Sequence, residues 1–162
     1  MRTGAFALVA ALTTAGVAVP GTAARAATTC GPQQAIEFDT PGWNTDLRVR
    51  LCLHHGQPTR GAYAGVSWDD GGDDLTDGER KFDLLVVHFD LQQNARPVAH
   101  GSCDLTRRVN SDGSAVFTCE AAYRQSPHRG GWNTSGYLIY NVDRDGAGDR
   151  RIDLTASPVV EN

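Results

Sequence analysis

The motif closest to a metal loop is Asn141-Val-Asp143-Arg-Asp145-Gly146-Ala-Gly148-Asp149. Oxygen ligands at alternate positions, followed by a glycine for a sharp turn, are what calcium loops use. Asn141, Asp143, Asp145 and Asp149 are therefore the candidate ligands, and calcium is the one cofactor the sequence suggests. Ile152 stands where an EF-hand loop would carry its bidentate glutamate, with Asp153 one residue later. Arg144, Arg150 and Arg151 dilute the negative field, so the competing reading is a polar hairpin loop between two strands.

Catalytic chemistry has less to work with. His54 and His55 are neighbours after a strand pattern, and adjacent strand residues point to opposite faces, so they cannot both grip one metal without a bend. His88, His100 and His128 stand alone in sequence. No Gly-x-Ser-x-Gly, His-Glu-x-x-His or phosphate-cradling glycine loop occurs. The carboxylates between Asp69 and Glu79 lie in a polar stretch that lacks the burial needed to raise one pKa. These residues predict a protein that is not an enzyme.

The N-terminus predicts the compartment. Met1-Arg2 precedes an apolar run from Ala5 to Val19, and Ala24-Arg25-Ala26 has the small-x-small pattern read by signal peptidase. The run is about fifteen residues, short for a bilayer span. Residues 1–26 are thus expected to be a signal peptide and the mature protein to be secreted and extracellular. Losing Arg2 and Arg25 would move the formal net charge from −4 to −6, which disfavours nucleic acid and anionic membranes as partners. Lys81 is the only lysine beside 14 arginines, a bias expected of a GC-rich, actinobacterial genome.

All four cysteines fall after that site, and an even count in an exported chain implies two disulfides. Cys103 and Cys119 flank the turn signal Asn110-Ser111-Asp112-Gly113, so a hairpin would bring them opposite each other. Cys30 then pairs with Cys52. No pair has the Cys-x-x-Cys spacing of a zinc site, and no thiol is left to act as a nucleophile.

The rest of the chain reads as strands. Leu47, Val49, Leu51 and Leu53 alternate with polar residues, residues 61–68 form a second strand, and Leu85, Val87, Phe89 and Leu91 share one face of a third. With the hairpin and a final pair at 137–142 and 151–156, seven or eight strands predict an all-β, disulfide-stapled antiparallel β-sandwich over 41–162. Residues 27–40 carry Ile36 and Phe38 on one side and Glu37 and Asp39 on the other. They are either the sandwich's first strand or a free strand that completes a partner's sheet, with Ile36 and Phe38 as the partner-binding anchors. Gly42-Trp43-Asn44-Thr45 and Gly131-Trp132-Asn133-Thr134 echo each other. Both tryptophans are expected to cover sandwich ends, and the alternative is a pair of sugar-stacking platforms.

Three stretches resemble a group of small exported streptomycete proteins: Trp43 to Cys52, the Cys103-Asp-Leu-Thr to Thr-Cys119 segment, and Gly-Trp132-Asn through Asn141-Val-Asp143. That group includes the adaptor subunits of umbrella toxin particles. The resemblance implies a protein–protein interaction module that bridges a large toxin polypeptide and a lectin subunit. It would be antibacterial only as a connector. The other functions in view are a secreted enzyme inhibitor presenting residues 124–132, and a calcium- or glycan-binding sandwich.

Overall fold

The structure, a computed structural model, describes residues 27–56, 58–72, 78–126 and 129–161. The expected signal peptide lies outside them, as do His128 and residues 73–77 of the acidic stretch. In chain order the strands are β1 (Ala27–Cys30), β2 (Gln34–Phe38), β3 (Thr45–His55), β4 (Thr59–Asp69), β5 (Phe82–Gln93), β6 (Arg96–Asp104), β7 (Ser114–Thr118), β8 (Ala122–Gln125), β9 (Trp132–Val142) and β10 (Arg150–Leu154). A single turn of helix, α1 (Thr106–Val109), follows β6.

The strands form two antiparallel sheets, as expected of a sandwich. In sheet A, β3 and β4 occupy the middle. One edge is shared by β1 and β2, both paired with β3, and the other by β7 and β8, both paired with β4. Sheet B runs β10-β9-β5-β6. The expected seven or eight strands become ten because each edge of sheet A is broken in two. Gly31-Pro32 makes the first break. A Cβ on Gly31 would sit 2.6 Å from the Ala156 carbonyl oxygen, and Pro32 has no N–H to give a ladder.

Period-two patterning places the core. Leu47, Val49, Leu51 and Leu53 of β3 enter the core from one sheet and Leu85, Val87, Phe89 and Leu91 of β5 from the other, with β3 packed over β9 and β4 over β5, and all eight are essentially inaccessible to solvent. Burying each such side chain contributes about 1.5–3 kcal/mol. Sequence reading placed these two strands correctly. It caught only the end of β6, at Cys103, because the β5–β6 turn uses Asn94 and Ala95 at φ 51° and 60° rather than the usual Asn-Gly of a two-residue hairpin.

Both disulfides, Cys30–Cys52 and Cys103–Cys119, pair as expected. The hairpin that predicted the second does not exist. Cys103 lies on β6 of sheet B, and Cys119 follows β7 of sheet A, so the bond ties one sheet to the other. Between them α1 carries the chain across. Asn110, read as a turn residue, instead clamps the start of β5. Its Oδ1 accepts the N–H groups of Lys81 and Phe82, both at 2.9 Å, and its Nδ2 donates to the Phe82 carbonyl at 2.8 Å. The Cys30–Cys52 bond joins residues directly opposite each other on β1 and β3.

Candidate binding surfaces

The N-terminal segment is a strand of this domain's own sheet. β2 pairs with β3 from Gln34↔Val49 to Phe38↔Thr45. Phe38 is only 4% exposed, with its ring 5.2 Å from that of Phe82 and 4.8 Å from that of Tyr140, while Ile36 packs half-buried against the same core. The free-strand expectation is corrected accordingly. Two anchors on one face were read properly, and the face they fill belongs to this chain.

The oxygen ladder at 141–149 is turned to closing the β9–β10 hairpin. Asn141 Nδ2 donates to Asp149 Oδ1 at 3.1 Å, and Asp145 Oδ1 accepts the Ala147 N–H at 2.8 Å while its other oxygen meets Arg150. Asp143 is buried against Arg144 at 3.1 Å and lies 3.9 Å from Arg80. Among the described residues no group of three or more His, Cys, Asp or Glu side chains is gathered as a metal set. The arginines that dilute the field in sequence are the partners these carboxylates take.

The histidines scatter. His55 ends β3, its Nε2 3.1 Å from Thr29 Oγ1 on β1. Burial, with Arg60 and His54 beside it, lowers its pKa below the ordinary 6.5. His100 pairs with Asp90 at 2.6 Å on the surface of sheet B. The tryptophan echo divides as well. Trp132 is completely buried, so two matched sugar platforms are ruled out, whereas Trp43 is 55% exposed.

The Trp43 loop is held from below by the chain's only lysine. Lys81 is 2% exposed, and its Nζ donates to the carbonyls of Pro41 and Trp43, each at 3.0 Å. Thr40 Oγ1 donates to the same Trp43 carbonyl at 2.8 Å. Lys81→Met keeps the apolar stem and removes the donor. It is expected to lower stability by about 1–3 kcal/mol, the cost of taking the lysine's donor from the part-buried Pro41 carbonyl, read as a shift in the urea midpoint.

The outward face of sheet B is the surface that departs most from simple alternation. β5 contains Leu84-Leu85-Val86-Val87, so apolar side chains point both ways. Leu85 and Val87 enter the core; Leu84 and Val86 stand half-buried on the outside. Ile139 lies directly opposite Val86 in register, and Tyr137 opposite His88. The His88 and Tyr137 rings stack at 4.8 Å and 19°, and the Arg151 guanidinium covers Tyr137 at 3.8 Å. Around this centre run Asp104, Ser102, the His100–Asp90 pair and Asp153. The polar and titratable outward residues of β5 are Asp83, His88 and Asp90, and the run of four consecutive apolar residues is what marks the departure in the sequence.

Fold and surface together define an antiparallel β-sandwich, braced once within a sheet and once between sheets, with an aromatic and aliphatic patch on one outer face. No protein-family model matches this chain, and neither a curated protein nor a solved structure does. Among the described residues no helix is long and apolar enough to cross a membrane.

Proposed function

We propose that this chain is a secreted, non-catalytic interaction module that links other exported proteins, as the adaptor subunits it resembles in sequence do. The observation that carries the reading is the outer face of sheet B. An antiparallel sheet with one solvated face normally reads apolar-in and polar-out, yet Leu84, Val86, Ile139 and Tyr137 occupy the outward positions. A centre of aliphatic and aromatic side chains with arginine, rimmed by polar groups, is the anatomy of a protein interface. Two disulfides suit an oxidising compartment, and the acidic balance argues against a nucleic-acid partner.

The docking element in this reading is a sheet face, since the N-terminal strand is engaged in its own sheet. Affinity capture from the native culture medium, wild type against a Val86→Lys/Ile139→Glu variant, tests it. Both side chains point outward, and the new charges are opposite in sign across the β5–β9 pair, so the variant should melt close to the wild type while its partner is lost. Central interface residues of this kind are worth about 2 kcal/mol or more, roughly thirtyfold in affinity. A partner retained at full yield by the variant would remove sheet B from the account.

A further inference from the structure

The opposite face of the sandwich carries a different chemistry. On β3, Asp46, Arg48 and Arg50 point outward, alternating with the buried Leu47, Val49 and Leu51. Arg48 and Arg50 are exposed, and among the described residues neither has a hydrogen bond or an ion pair. Register sets them beside Ser67 and Gly65 of β4, which in turn lie beside Val116 and Thr118 of β7. Gly65 leaves a notch in the floor. Arg50 lies along it, its Nε 3.5 Å from where a Cβ would be. Val116, 84% exposed, forms the far wall and Gln33 the near end of a shallow groove of about 190 Å³.

Two guanidinium groups left without a carboxylate on an acidic protein form a positive spot ready to receive anions. Their spacing says more. Residues two apart on one face of a strand are separated by about 6.5–7 Å. Carboxylates at alternate positions of an extended chain have the same repeat, and arginine meets a carboxylate through two parallel N–H donors. We propose that the outer face of sheet A binds an extended acidic segment of a partner protein, laid along β3. Alternate Glu or Asp side chains meet Arg48 and Arg50, and the residue between them points away from the sheet. This goes beyond the sheet B reading, because it gives the module a second docking face on its far side.

The test is titration of the intact protein with a short fluorescent peptide of alternating Glu and Thr, followed by anisotropy at low salt. The wild type should bind it, and tighter than a peptide of the same composition with its Glu residues in one block. Arg48→Glu/Arg50→Glu should weaken binding by at least about tenfold, since two charge-assisted pairs turn repulsive, with the melting temperature unchanged. Arg48→Lys/Arg50→Lys should recover only part, because an ammonium cannot make the two-pronged contact. Arg107→Glu, on the exposed side of α1, should bind as the wild type does. Wild-type binding that fails at low salt, or survives charge reversal, would overturn the proposal. Equal affinity for the block peptide would overturn the extended register. Tighter binding of heparin or inorganic phosphate than of the peptide would reassign the groove to a sulfated glycan or a phosphate. None of these outcomes depends on Val86 or Ile139, so the two faces succeed or fail separately.

Discussion

Phe38→Asp is expected to unfold the domain. Truncating a buried phenylalanine to alanine costs about 3–5 kcal/mol, and a carboxylate in the same place adds its own desolvation. Phe38 is 4% exposed, edge-on to Phe82 and tilted against Tyr140. A small domain has only about 5–15 kcal/mol in hand. The far-UV circular dichroism transition should be lost or fall to room temperature. Ile36→Asp, at the half-buried position on the same face, should cost markedly less. A Phe38→Asp protein that melts like the wild type would show that β2 is dispensable to this fold, and would restore strand donation as a mechanism.

The second large effect concerns the disulfides. Their loops span 22 and 16 residues, so each removed bond should cost about 3 kcal/mol in the chain-entropy model. The costs are similar, but the consequences are local and different. Cys30→Ser/Cys52→Ser releases β1, a four-residue edge strand, and should fray residues 27–30 with the rest intact. Cys103→Ser/Cys119→Ser unties β6 from the β7–β8 edge, and should speed amide exchange along both. Removing both bonds should cost about 6 kcal/mol, enough to unfold many domains of this size. Urea midpoints with peptide-resolved hydrogen exchange separate the cases. Equal exchange patterns in the two single-bridge variants would contradict the inter-sheet placement.

How far the sequence could be read depended on how local the determinant was. The alternation of Leu47 to Leu53 sets which side of β3 is buried before any partner strand is known, and that reading holds. The pairing of Cys103 with Cys119 was inferred from a turn signal, and it is right for a different reason. Asn110 hydrogen-bonds the start of β5, 28 and 29 residues away, which no window around the turn can reveal. Ile36 and Phe38 announced a strand with one apolar face. Whether that face met this core or another protein's was a question of tertiary geometry. The candidate site was legible only in part. Asn141 to Asp149 had the composition of a metal loop, but arginines three-dimensionally adjacent to Asp143 and Asp145 decide how those oxygens are used. The sheet B patch was visible as Leu84 to Val87, yet its significance needs Ile139 and Tyr137, brought alongside from about fifty residues later.

The central claim is that a partner covers the outer face of sheet B. Covalent side-chain footprinting of the complex captured from the native medium, set against the isolated protein, measures this directly. Protection of Tyr137, His88, Val86 and Ile139, with β1 and β2 unchanged, is the predicted result. Unchanged labelling at those four residues, with protection confined to 27–38 instead, would contradict it.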